Sequence, residues 1–176
     1  EYFANGETFF TTIHYIDVIE AWDIIKNIID KLNDCYSNAS YIGNKKNIID
    51  NIYNEHIFNN INYLLDSKYK YLTKYKYLIV NNTKVPNIMN MLNELKEFHY
   101  SLEHNIQYIH GDLTIENILV DNSKNYILID PAPRYNNVFA EYAKLFQSLH
   151  GKYEYVKNLN TYSIDENIIT YPDYST

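Results

Sequence analysis

A chain of 176 residues, 46% of them hydrophobic, carries enough apolar side chain for one packed domain and does not have the composition of a disordered segment. A net charge of −7 with no basic stretch argues against a nucleic-acid partner. No apolar run is long enough to span a bilayer, residues 1–6 lack the basic and apolar regions of a signal peptide, and the single cysteine, Cys35, excludes an internal disulfide framework and fits a reducing cytoplasm.

Residues 1–12 read as an extended start broken by the turn pair Asn5-Gly6. The first helix is expected over 17–34, with Asp17 as N-cap and a stripe of Val18, Trp22, Ile25, Ile29 and Leu32 at three- and four-residue steps. A second stripe, Ile49, Ile52, Tyr53, His56, Ile57, Ile61 and Leu64, marks a helix over 46–65. The Lys/Tyr-rich stretch 67–84 gives no clear period. Pro86 is expected to open a third helix with Ile88, Leu92, Leu95, Phe98 and Leu102 on its buried face, ending near 103–105. Three short apolar runs follow, 106–109, 117–120 and 126–129, and the last two flank the hairpin-type loop Asp121–Asn125. Residues 138–157 read as helix again, with Phe139, Tyr142, Ala143, Phe146, Leu149 and Tyr153 on one face, and the polar tail after Asn158 reads as irregular. Trp22 and Phe98 are expected in the core, and Glu116 at the surface or against substrate. Asn, Ile, Lys and Tyr are heavily used and Arg134 is the sole arginine, a bias attributed to the genome rather than to function, and most of the 20 tyrosines are expected to be semi-buried or surface residues.

The segment Tyr108-Ile109-His110-Gly111-Asp112-Leu113-Thr114-Ile115-Glu116-Asn117-Ile118-Leu119 carries the chemistry. Asp130 stands at the end of the apolar run Tyr126-Ile127-Leu128-Ile129, before Pro131. An Asn/Asp-rich turn between two strands is the ordinary reading of such residues, but it explains neither the spacing nor the apolar flanks. The ordered set H-G-D-L-x-x-x-N-I-L followed by a strand ending in I-D resembles the catalytic and metal loops of the protein-kinase-like superfamily. Glycine after His110 is similar to the aminoglycoside phosphotransferase and choline kinase branch. The resemblance implies a mainly α fold with a small β-hairpin, the C-terminal lobe of a kinase-like fold, with a hinge-like opening segment at 1–12, a helical catalytic lobe over 13–176 and the catalytic and metal loops at 108–131.

By that resemblance Asp112 accepts the proton of a substrate hydroxyl, Asn117 and Asp130 hold magnesium through hard oxygen ligands, Gly111 lets the backbone turn, and His110 packs beneath the loop. The opening Glu1-Tyr2-Phe3-Ala4-Asn5-Gly6 is similar to the hinge between kinase lobes, so the Glu1 carbonyl and the Phe3 amide would frame the adenine of ATP. The N-terminal lobe, with its Gly-rich loop and strand lysine, is then expected to lie outside this chain, since Gly6, Gly43, Gly111 and Gly151 are scattered and Lys45-Lys46 reads as a surface turn. The isolated chain is expected to turn over ATP poorly.

Asp130-Pro131-Ala132-Pro133-Arg134 runs into a helix within about ten residues, without Phe-Gly after the aspartate and without a long activation segment. That points away from protein substrates and toward a hydroxyl of a small molecule, a sugar or sugar-like metabolite. Together with Tyr142-Ala143-Lys144-Leu145 and Gly151-Lys152-Tyr153, the stretch looks most like bacterial phosphotransferases associated with capsule and sugar-nucleotide genes. Those relatives carry Asp where Glu141 stands, and Glu141 is expected to support the loop with altered geometry. Arg134 reads either as a surface residue or as a forked contact to phosphate or an anionic sugar. His99 and His104 read as structural or solvated, and His150 as lying near a helix end. The rival readings are a binding or regulatory lobe without catalysis, a protein kinase, and a choline-type kinase with an aromatic cage.

Overall fold

The computed structural model describes residues 5–37, 45–101, 107–136 and 138–172. In chain order the elements are β1 (Glu7–Thr8), α1 (Phe9–Thr12), α2 (Val18–Ser37), α3 (Lys45–Asn51), α4 (Asn59–Asp66), β2 (Tyr77–Val80), β3 (Thr83–Pro86), α5 (Leu92–Ser101), β4 (Gln107–Ile109), β5 (Ile118–Val120), β6 (Tyr126–Leu128), β7 (Arg134–Asn136), α6 (Phe139–Leu149), α7 (Tyr153–Lys157), β8 (Ser163–Asp165) and β9 (Ile168–Thr170). A π-helical stretch, Ile52–Phe58, joins α3 to α4, and short 3-10 turns occupy Lys70–Lys74, Ile88–Asn90 and Ile115–Asn117. No helix among the described residues is long and apolar enough to cross a membrane.

The chain divides into two compact units. The motif residues His110, Gly111, Asp112, Asn117 and Asp130 fall wholly in the first. That unit takes in Glu1–Ile42 and His104–Lys157. Asp17 caps α2, its Oδ1 accepting the amides of Ile19 at 2.7 Å and Glu20 at 2.8 Å, as expected from the sequence. The buried side of α2 is Ala21, Ile24, Ile25, Ile28 and Leu32. Val18 and Trp22 are 81% and 59% exposed, which corrects the expected stripe and the core placement of Trp22. Apolar residues cover more than one face of this helix, so periodicity alone left its rotation open. Its buried side packs with Phe9, Leu113, Ile115, Ile118, Val120 and Leu145 in one core.

β5 and β6 form the expected antiparallel hairpin, with Ile118 opposite Leu128 and Val120 opposite Tyr126. Asp121 shapes its loop, with Oδ1 accepting the amides of Ser123 at 2.8 Å and Asn125 at 2.9 Å. β1 extends the sheet, Glu7 facing Val120 and Thr8 facing Leu119. Among the described residues the extended run therefore ends at Thr8, whose hydroxyl caps the short helix α1. Gly6 permits this close approach, because a Cβ there would lie 2.8 Å from the Val120 carbonyl oxygen. β4 pairs antiparallel with β7, setting Ile109 opposite Arg134.

The second unit takes in Gly43–Glu103 and Asn158–Thr176. Ile49 and Tyr53 are buried as expected for the helical run 45–66. The unplaced stretch 67–84 supplies most of a hairpin, β2–β3, turned by Asn81 and Asn82 at φ 44° and 66°. Two consecutive left-handed residues match the right-handed twist of the strands, and Asn tolerates that conformation. Pro86 does not open a helix; it ends β3 opposite Tyr77, and α5 begins only at Leu92 after the 3-10 turn. Phe98 is 61% exposed and not in the core. The tail is not irregular throughout: β8 and β9 complete a four-stranded sheet of order β3-β2-β9-β8, with β9 parallel to β2. The described chain thus holds three small sheets in place of the single hairpin expected.

Candidate active site

The loop from His110 to Asn117 leaves β4 and enters β5. Leu113 and Ile115 are buried and pin it to the core, so Asp112 before them and Asn117 after them are held from below. Gly111 has φ 84°, a left-handed conformation that glycine adopts without steric cost. It turns the chain so that Asp112 meets Asn117: the Asn117 Nδ2 donates to the Asp112 carbonyl oxygen at 2.8 Å and to its carboxylate Oδ2 at 3.0 Å. With its nitrogen so engaged, Asn117 keeps its amide oxygen as the group it can offer a ligand.

The hairpin register then brings Asp130 back. Ile118 faces Leu128, and the Ile129 amide donates to the Asn117 carbonyl oxygen at 3.0 Å. Asp130 follows at once, at the same end of the hairpin as Asn117. It is exposed and sits at φ 49°, a left-handed conformation uncommon outside glycine, asparagine and aspartate. An amide oxygen and a carboxylate oxygen are hard donors of the kind magnesium takes, so the residues present fit that ion. Three or more His, Cys, Asp and Glu side chains do not gather around a common point among the described residues, so no zinc-type cluster forms there.

His110 is a strut. Its Nε2 lies 3.0 Å from the Ile129 carbonyl oxygen, to which it must donate, and its Nδ1 accepts the Asp112 amide at 3.4 Å. Both ring nitrogens are therefore spent on the two loops that carry Asp112 and Asp130.

Two buried glutamates hold the loop from behind. Glu141, fully buried on α6, accepts the Gly111 amide at 3.0 Å and the Tyr36 hydroxyl at 3.1 Å, both with Oε1. The longer side chain thus does reach the loop. Tyr36 in turn accepts the His110 amide at 3.3 Å. Burial first, and the negative Glu141 second, push the Tyr36 hydroxyl up to about 12. Farther along α6, Ser148 accepts the Ile115 amide at 3.3 Å and donates to the buried Glu154 of α7 at 2.7 Å. The inward face of α6 is thus Glu141, Leu145 and Ser148, while Phe139, Phe146 and Leu149 are exposed. This reverses the face expected from hydrophobicity, because the backbone donors of the loop need acceptors there.

Lys144, also on α6, places its ammonium 3.0 Å from Asp112 Oδ1. Glu116 is held by Lys157 at 2.8 Å, and that hydrogen bond raises the pKa of Lys157. Tyr36, Lys144, Ser148 and Glu154 were not singled out as site residues in the sequence. Tyr36 lies 74 residues from His110 along the chain, and only Lys144 falls within a quoted motif segment. Of the remaining candidates, Arg134 lies in β7 with its side chain outside what is described, and the adenine-framing residues Glu1 and Phe3 lie outside the described residues. Comparison of the chain with protein-family models, with curated proteins and with solved structures finds no match.

Proposed function

We propose that this chain is the catalytic lobe of a phosphotransferase with a protein-kinase-like fold of the aminoglycoside-phosphotransferase type. It would transfer the γ-phosphoryl of ATP to a hydroxyl of a small molecule, a sugar or sugar-like metabolite, in the cytoplasm. The observation that carries the reading is the union of three motif residues: Asp112 is clamped by the Asn117 side chain, and Asp130 is returned to the same end of the hairpin.

Each residue has a defined task. The Asp112 carboxylate is the acceptor for the hydroxyl proton, and it is only partly exposed, at 37%, so a substrate hydroxyl can reach it. The Asn117 amide nitrogen fixes that carboxylate through Oδ2, which limits its rotation before substrate arrives. The Asn117 oxygen and the Asp130 carboxylate would hold magnesium, which when bound supplies positive charge to the phosphate oxygens. His110, Glu141 and the Ser148–Glu154 pair keep the loop from relaxing, so little reorganisation is needed at the moment of transfer. The short connection from Asp130 to α6 at Phe139 supports a small acceptor, because a docked protein chain needs a longer platform.

The test is magnesium-dependent phosphoryl transfer from ATP, to water and to a panel of sugars, by the natural full-length protein. Asp112→Asn is expected to lower kcat by about 100-fold or more. Wild-type turnover in that variant would remove Asp112 from the chemistry and the reading with it.

A further inference from the structure

The proton-acceptor role of Asp112 leaves one charged contact of that carboxylate without a task. Asn117 holds Oδ2, whereas Oδ1 is paired with the Lys144 ammonium at 3.0 Å, and Lys144 and Asp112 are 34% and 37% exposed. The pair is neither sunk in the core nor a loose surface contact. Lys144 springs from the same helix as Glu141, three residues earlier, and the Glu141 carboxylate holds the amide of Gly111, the neighbour of Asp112. One rigid element therefore positions both the loop backbone and the cation beside its carboxylate. No other cation competes for the role within the loop: the residues between Asp112 and Asn117 are Leu113, Thr114, Ile115 and Glu116, and Lys157 is committed to Glu116 at 2.8 Å.

Resting on the phosphotransferase reading above, we infer that Lys144 is a second catalytic residue, whose ammonium balances Asp112 before transfer and the phosphoryl oxygens during it. A hydroxyl donating to Oδ1 puts its oxygen about 2.7 Å from that atom. The Lys144 nitrogen is 3.0 Å from the same atom. Nitrogen and attacking oxygen are then within about 6 Å of each other at most, a gap that the four-carbon stem of lysine can close. In the transfer step the hydroxyl oxygen bonds to the γ-phosphorus as the bond from that phosphorus to the β–γ bridging oxygen breaks. ADP leaves with that electron pair, and the hydroxyl proton passes to Asp112. Asp112 becomes neutral and no longer holds Lys144, and the ammonium turns to the equatorial phosphoryl oxygens, over which negative charge is spread. Such a contact is made in the transition state and not with bound nucleotide, so it raises kcat without lowering KM for ATP.

The experiment compares wild type, Lys144→Met, Lys144→Arg and Asp112→Asn in the natural full-length protein by two readouts. The first is steady-state hydrolysis of ATP with magnesium. The second is calorimetric binding of ADP and of ADP with aluminium fluoride, a mimic of the transferring phosphoryl group. Lys144→Met is expected to lower kcat by about 100-fold with KM for ATP within about twofold. It is also expected to weaken ADP–aluminium fluoride about tenfold or more while leaving ADP unchanged. Lys144→Arg recovers most of both. Melting curves accompany each variant, and Lys144→Gln replaces Lys144→Met if the latter does not fold. Unchanged kcat and unchanged mimic binding in Lys144→Met, with Asp112→Asn inactive, overturns the role of Lys144 alone. Equal losses for ADP and the mimic, unrepaired by arginine, mean a structural lysine and overturn it too. A protein without magnesium-dependent turnover, or with a fully active Asp112→Asn, overturns the phosphotransferase reading itself and this role with it.

Discussion

The Gly111 amide donates at 3.0 Å to Glu141 Oε1, across 30 residues of sequence and from the turn of the His110–Asn117 loop to the buried face of α6. The same oxygen takes the Tyr36 hydroxyl, so one carboxylate fixes the end of α2, the turn of the loop and the helix that carries it. Its partner oxygen Oε2 has no hydrogen bond among the described residues.

Glu141→Ala would leave the Gly111 amide and the Tyr36 hydroxyl without their acceptor and open a cavity at a fully buried site. The expected loss is about 3 kcal/mol. Glu141→Gln keeps an acceptor in place and removes a buried charge, so its expected loss is about 1 kcal/mol or less. Urea denaturation of the two variants checks the order and the gap between them.

Tyr36 gives the first unit an alkaline limit. Its folded pKa, about 12, lies above the ordinary 10.0. The unfolded chain therefore loses this proton first as pH rises. The contribution to stability is complete below pH 10.0 and is lost progressively between 10.0 and about 12. Partial exposure of the side chain weakens the effect. Tyr36→Phe is expected to lose stability less steeply across that window than wild type, measured as urea midpoints at about pH 9 and about pH 11.5.

The motif was legible, and of its scaffold only His110 and Glu141 were. His110, Gly111, Asp112, Asn117 and Asp130 stand at fixed spacings along one stretch, and the apolar runs around them pair as a hairpin in the order read. The other supports come from far away in sequence, Tyr36 from the end of α2 and Ser148 and Glu154 from α6 and α7, where no motif residue marks them. Hydrophobic spacing pointed α6 the wrong way, because its inward face is chosen by acceptors for backbone amides and not by apolar area. Likewise β9 pairs with β2, a partner that lies some 90 residues upstream and that nothing in the polar tail announces.

Asp130 holds a left-handed backbone at φ 49°, where a glycine would sit without strain. Asp130→Gly is expected to raise stability by about 0.5–1 kcal/mol and to abolish magnesium-dependent nucleotide binding. Thermal melting read beside nucleotide titration checks both. A stability gain with function retained would mean that the carboxylate has no role at the site.

Asn117 and Asp130 are proposed to form one oxygen-ligand site at the hairpin end. Calorimetric titration of ADP into the natural full-length protein, with and without magnesium, in wild type and in Asp130→Asn, tests it most directly. Binding is expected to strengthen at least about tenfold with magnesium in wild type and to lose that gain in the variant, which keeps the left-handed backbone but not the charge. Nucleotide binding that ignores magnesium, or a gain that survives in Asp130→Asn, would contradict it.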